Sequence, residues 1–245
     1  MSGKASRQQT GLAGNPALDL AGRHAVALLA GAPAAPLGPR LAALDAEPLP
    51  QIVRRFGLTA LDLDLFCIIA APELGVEAAL ALARHPLALQ GRATPALCRA
   101  VLGDVAPAAL AATGLLRQGV LVELQPGPGF AERRLIVPEA VVGALFGAPG
   151  PDPLLAGALS PCAAADAASS MEEAAELLAT ALLRARQQSP APILHLATDD
   201  PLQAAGLAAA AAARLGLEMA AFEPRLLPDL GAALAAQLLN RDMVL

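Results

Sequence analysis

The chain has 245 residues, enough for one large domain or two small ones. Hydrophobic residues make up 56% of the sequence, but alanine supplies most of the excess, and the alanine-richest stretch, 201–213, is too short and too weakly apolar to span a bilayer. The formal net charge of -5 disfavours non-specific attraction to DNA, and the lack of tryptophan and tyrosine argues against a stacking platform for single-stranded nucleic acid. We therefore expect a soluble, mainly helical protein with no nucleic-acid partner and no membrane-embedded segment.

The usage of lysine, cysteine and histidine narrows the possible chemistry. Lys4 is the only lysine, so the folded body offers no lysine for a Schiff base, a phosphate loop or a general base. The three cysteines do not have the spacing of a disulfide framework, and neither they nor the three histidines have the spacing of metal ligands. These residues are Cys67, Cys98, Cys162, His24, His85 and His195. Cys67 lies in the apolar run LFCIIAA and is expected to be a buried free thiol. We predict no metal site.

Residues 1–38 are predicted to form a polar, disordered tail and a first helix at about 16–30. The apolar stretch AVALLAGA within that helix resembles part of a secretory signal peptide. It is short, starts late and follows Asp19, whereas a signal peptide has its charge earlier and its apolar region sooner. We therefore expect the protein to stay in the cytoplasm.

Residues 39–147 are predicted to form several helices followed by a β-hairpin. Thr59 and Asp62 have the spacing of a capping box, and Thr94 with Pro95 marks the start of a further helix. GVLVEL, at 119–124, and RRLIVP, at 133–138, have the composition of two strands, and the intervening QPGPGF is a turn of glycine and proline. Helices followed by a hairpin with a glycine-rich tip are the layout of a winged-helix domain.

Residues 148–153, APGPDP, are predicted to be a linker, and residues 154–245 an incomplete α/β module. The predicted elements of this module are a helix at 171–188, a strand at 191–197, a helix at 202–215, a strand at 217–222, a helix at 228–240 and the first residues of a third strand at 243–245. Such alternation implies parallel strands with right-handed crossovers. A sheet whose last strand has three residues would be a poor independent domain, so we expect the sequence to stop before the module is complete.

One segment points to a family. RRFGLTALDLDLFCIIAAPELG, at 54–75, resembles the segment FGLS-x-x-E-x-x-x-LLLALAPELD near the N-terminus of certain bacterial AAA ATPases, some of which are encoded with contractile injection systems. The similarity extends over about 40–147. It implies a winged-helix domain and then a first, often degenerate ATPase-like module, whose opening would be 193–245. It further implies protein partners, a homo-oligomeric ring in the full-length parent, and ATP with Mg²⁺ as cofactors of that parent alone.

The stretch ILHLATDDPLQAAG, at 193–206, has the position of a phosphate-binding loop. An intact loop reads G-x-x-x-x-G-K-[ST], and its backbone N–H groups hold the phosphates. Here neither glycine, nor the lysine, nor the magnesium-binding hydroxyl is kept, and the residues at those four positions are Leu196, Pro201, Leu202 and Gln203. Asp199 and Asp200 add negative charge where phosphate would lie. We therefore predict that this chain has no catalytic residue and no cofactor-binding residue, and that it does not bind ATP.

Two other functions are compatible with the layout, a winged-helix DNA-binding regulator and a stand-alone protein-interaction adaptor. A DNA reader would use a recognition helix at 94–102 with Arg99, and Arg133 and Arg134 at the base of the wing. We favour a solvated surface instead, because phosphate neutralisation needs several clustered cations.

An enzyme in its own right is the third possibility, because Asp199 and Asp200 lie near His195 in sequence. We interpret the aspartates as caps of the helix that begins near Leu202. Ser160 and Cys162 have no partner signature for nucleophilic catalysis. A glutamate cluster is interpreted as helix-start electrostatics rather than as a metal site, and it consists of Glu172, Glu173 and Glu176.

Overall fold

The computed structural model describes residues 15–162, 172–186, 196–197, 200–217, 219–222 and 232–244. The chain divides into two compact units, Met1–Pro153 with Gly231–Leu245, and Leu154–Leu230. The described part is mainly helical and contains two small antiparallel sheets. None of the helices in the described part is long and apolar enough to cross a membrane.

The first unit contains ten of the described α-helices and one hairpin. Its helices are α1 (Pro16–Leu29), α2 (Leu37–Leu41), α3 (Pro48–Phe56), α4 (Ala60–Ala70), α5 (Val76–Arg84), α6 (Pro95–Leu102), α7 (Ala106–Ala109), α8 (Leu115–Gln118), α9 (Glu139–Leu145) and α13 (Ala232–Val244). Its strands are β1 (Glu123–Leu124) and β2 (Leu135–Ile136), and short 3₁₀ turns lie at Ala42–Leu44 and Phe130–Glu132. The predicted mainly helical unit with a small hairpin is thus confirmed.

Helix α4 lies at the centre of the first unit. It begins with the predicted capping box, in which the Asp62 backbone N–H donates to Thr59 Oγ1 (3.2 Å) and the Thr59 backbone N–H donates to Asp62 Oδ2 (3.0 Å). Most of its residues from Asp62 onward are buried, and Phe66, Ile68 and Ile69 are fully buried. Helices α1 and α2 pack against it, and α1 also packs against α5.

The hairpin is shorter than predicted. Strands β1 and β2 pair antiparallel, with Leu124 opposite Leu135, and Leu135 also donates its backbone N–H to the Ala93 carbonyl (2.8 Å). Val120 has a left-handed backbone (φ 49°), and Leu121 donates to the Leu116 carbonyl at the end of α8. The first part of GVLVEL therefore completes the turn after a helix, and only its last two residues form a strand.

The second unit contains α10 from Leu154 onward, α11, α12 and one strand pair. These elements are α10 (Pro153–Ala156), β3 (Leu159–Pro161), α11 (Glu172–Arg186), α12 (Pro201–Arg214) and β4 (Ala220–Phe222). Strands β3 and β4 are antiparallel, with Ser160 opposite Ala221. Strand β4 thus pairs with a three-residue strand that the sequence pattern did not predict. The predicted strand at 191–197 lies almost wholly outside the described residues.

Helix α13 corrects the prediction of a third strand, because it continues through residues 243–244. By its contacts it groups with the first unit. It packs on α3. A long-range charge contact joins α13 to this unit, since Arg241 of α13 is buried beside Asp152.

Candidate functional site

The start of α12 is where a phosphate-binding loop would present its donors. Asp200 is the N-cap residue, with extended backbone, and its Oδ1 accepts hydrogen bonds from the backbone N–H groups of Leu202 (3.0 Å) and Gln203 (3.3 Å). Pro201, at the first helical position, has no N–H to offer. The chain's own carboxylate thus occupies donors with which a helix N-terminus would hold an anion.

The electrostatics of this helix start oppose a phosphate in a second way. The Asp200 carboxylate puts negative charge at the positive end of the helix dipole, which stabilises the helix and repels a further anion. Leu202, at the position of the phosphate-loop lysine, is 85% exposed. The interpretation of Asp200 as a helix cap is confirmed. Of the three residues considered for acid–base chemistry, the structure describes only Asp200. His195 and Asp199 lie outside the described residues.

The three arginines considered for DNA contact all have partners within the chain. Arg99 Nε donates to Asp104 Oδ1 (2.7 Å) on the exposed surface after α6. Arg133 Nε donates to the Gln125 carbonyl (2.8 Å), across the turn of the hairpin. Arg134 donates to the side chain of Gln90 (2.8 Å). Asp104 therefore balances the charge of Arg99, whereas Arg133 and Arg134 donate to uncharged groups.

A groove lies between α6 and the hairpin turn. It has a volume of about 490 Å³, and Pro95, Ala96 and Ala100 line its helical side. Phe130, which is 42% exposed, lines the opposite side. Arg99 and Asp104, which pair with each other, also line the groove, whose surface is otherwise mainly apolar.

A buried charge cluster joins α13 to the rest of the first unit. The Arg241 side chain has no solvent exposure, and its guanidinium donates to Asp152 Oδ2 (2.6 Å) and to Asp242 Oδ1 (2.7 Å). It also donates to the Val120 carbonyl (3.4 Å), and the Asp152 backbone N–H donates to Asp242 Oδ2 (2.7 Å). The pattern of the sequence did not reveal this cluster, because Asp152 lies in the proline-rich linker, 89 residues from Arg241.

Glu123 of β1 lies within reach of this cluster. Partial burial raises the pKa of its carboxyl above the ordinary value, and the negative charge of Asp152 raises it further. The positive charges of Arg241 and Arg117 act in the opposite direction and do not cancel the effect. Burial, and to a smaller extent the charge of Asp152, therefore disfavour the charged form of Glu123.

The first unit contains two cysteines, Cys67 and Cys98, and both thiols are buried. Cys67 is a free, fully buried thiol, as predicted. Burial raises its pKa, and the nearby Asp64 charge adds to the rise. Burial also raises the pKa of Cys98 to about 12. Both thiols are therefore protonated at neutral pH and are poor nucleophiles.

The glutamates at the start of α11 have the expected role at the helix terminus. Glu172 and Glu173 lie in the first turn, where negative charge stabilises a helix. Glu172 Oε1 lies 3.6 Å from an Arg214 guanidinium nitrogen, an exposed ion pair between α11 and α12.

Comparison with known proteins gives no match to a family model, to a curated protein or to a solved structure. The assignment to a family therefore stays a proposal that rests on the residues themselves.

Proposed function

We propose that this chain is a non-catalytic part of a bacterial AAA-family ATPase and serves protein interaction and positioning. ATP-dependent remodelling would be done by a module outside these residues, with ATP and Mg²⁺ as that module's cofactors. The observation that carries the non-catalytic part is the start of α12, where Asp200 caps the N–H groups of Leu202 and Gln203. A helix start capped in this way has fewer N–H groups left to hold a phosphate.

The interaction role is supported by the surface of the first unit. The winged-helix hypothesis needs a compact set of helices with a hairpin folded against them, and β2 here bridges both β1 and Ala93, just before α6. The groove beside that hairpin is mainly apolar and includes the exposed Phe130 ring. Exposed aromatic side chains beside a groove are typical anchors of protein contacts.

An immunoblot of the native cell lysate tests whether the chain is part of a larger protein. The antibody is raised against residues 15–150, and the lysate is run under denaturing conditions beside the purified 245-residue chain. We expect a band well above the purified chain. A single band that co-migrates with the purified chain would contradict the ATPase parent and favour the stand-alone adaptor.

The DNA-binding alternative is weakened by the arginines described above. Asp104 balances the charge of Arg99. Arg133 and Arg134 donate to neutral groups and keep their charge, but phosphate neutralisation needs a larger cluster of cations than these two. We expect no retardation of duplex DNA in a gel shift at low salt. Retardation that disappears on an Arg133→Ala, Arg134→Ala double substitution would instead support DNA binding.

A further inference from the structure

A second cavity lies in the first unit, away from the hairpin groove. It has a volume of about 320 Å³ and is lined by the end of α1, the proline-rich segment before α2, α3 and the start of α4. Buried side chains, His24, Leu37 and Leu63, form its floor. Pro39 and Ala60 are exposed and form part of its rim. The cavity is thus open to solvent at one side and closed by the core at the other.

The lining is mainly apolar, but it includes Thr59 and a hydrogen-bonded polar pair, His24 and Asp64. His24 Nε2 lies 2.7 Å from Asp64 Oδ1, which joins α1 to α4. The His24 side chain is 3% exposed, whereas the Asp64 side chain is 28% exposed and also lines the cavity. The histidine therefore holds the carboxylate in place from the buried side, and part of the carboxylate faces the accessible side.

This arrangement favours a ligand with two properties. Its polar end must donate hydrogen bonds, because a carboxylate is an acceptor only, and a positive charge on the donor strengthens such bonds. Its remaining part must be apolar, because Leu28, Val53 and Leu63 supply the wall. A primary alkylammonium ion meets both requirements, since it has three N–H donors and a flexible aliphatic stem.

We propose that this cavity is a binding site for a small alkylammonium ligand, with its ammonium group on Asp64 and its aliphatic chain along the α1–α4 wall. His24 acts as a positioning residue for the carboxylate. The proposal is independent of the AAA assignment, because it concerns only contacts within the first unit.

Nuclear magnetic resonance of the full chain tests the proposal with n-hexylammonium as the probe. His24 is one of three histidines, so its ring resonance can be assigned with few variants. We expect saturable shifts of the His24 ring and of the Leu28 and Leu63 methyl groups. 1-Hexanol, which has the same chain length and no charge, should bind at least ~10-fold more weakly, since a charge-assisted hydrogen bond is lost.

Two substitutions sharpen this test. Asp64→Asn should weaken n-hexylammonium binding ~10-fold or more, whereas Asp104→Asn, which removes an exposed carboxylate elsewhere, should leave it within ~2-fold. If Asp64→Asn does not fold, the comparison of the two ligands on the unaltered chain still decides the matter. Equal binding of 1-hexanol and n-hexylammonium, or shifts that do not saturate at His24, would overturn the proposal.

Discussion

At the scale of single residues, Arg241 is a charged side chain that is fully buried in the first unit. Its guanidinium is fully buried between Asp152 and Asp242, so Arg241→Ala removes a buried positive charge and the hydrogen bonds that it donates to both carboxylates. We expect a loss of about 3–5 kcal/mol in the free energy of unfolding, measured by urea denaturation followed by circular dichroism. The matched control is Arg54→Ala, whose exposed pair with Asp45 should cost less than about 1 kcal/mol. Equal losses in the two variants would contradict the buried cluster.

The raised pKa of Glu123 predicts how the stability of the folded chain depends on pH. Its pKa in the folded chain is raised above the ordinary value of 4.5, so the folded state binds the proton more tightly than the unfolded state. Its contribution to stability is therefore fully present below about pH 4.5 and is lost as pH rises through the folded-state pKa. Glu123→Gln should stabilise the chain at pH 7 relative to the unaltered protein, and this advantage should shrink as the pH falls toward 4. Thermal unfolding at a series of pH values measures it, and a constant difference across the series would count against it.

At the scale of elements, the start of α6 depends on one hydroxyl. Thr94 is buried, accepts a hydrogen bond from the Leu97 backbone N–H (3.1 Å) and donates one to the Leu87 carbonyl (2.9 Å). Thr94→Ala should cost about 1–2 kcal/mol of unfolding free energy, because a cap and a buried hydrogen bond are both lost. Thr94→Ser keeps the hydroxyl and should recover most of the loss. If Ser is no better than Ala, the methyl packing of Thr94, rather than its hydrogen bonds, holds α6.

The predictable elements are those whose causes lie close together in sequence. Thr59 with Asp62, and Thr94 with Pro95, are complete start signals within four residues, and the structure has helices beginning at both places. Asp200 is a cap of the same local kind. The short strands of the hairpin were less predictable, because the left-handed turn at Val120 depends on packing rather than on glycine.

The elements that sequence reasoning missed are those with distant causes. The register of β3 with β4 joins residues about 60 apart, and three residues are too few to show a strand pattern. The destination of α13 depends on Arg241 meeting Asp152, which nothing in the local pattern of either residue indicates. The same contrast holds for the candidate sites. The Asp200 cap has a local cause and was predicted, whereas the His24–Asp64 pair joins residues that are 40 apart and was not predicted.

At the scale of the whole molecule, the chain leaves its first unit after Pro153 and returns to it at residue 231. If the Arg241 cluster holds α13 in the first unit, then Arg241→Ala should speed amide hydrogen exchange in α13. Exchange in α12, which belongs to the second unit, should stay the same, and it serves as the internal control. A rise of similar size in both helices would mean that the substitution loosens the chain as a whole.

The central claim is that the start of α12 is capped by the chain and does not hold a nucleotide. The most direct test is a titration of the chain with a fluorescent ATP analogue in the presence of Mg²⁺, up to about 1 mM, the upper end of ordinary substrate affinities. Asp200 holds the N–H groups of Leu202 and Gln203, and a leucine stands in place of the lysine, so we predict no saturable fluorescence change. Saturable binding that unlabelled ATP reverses would contradict the account.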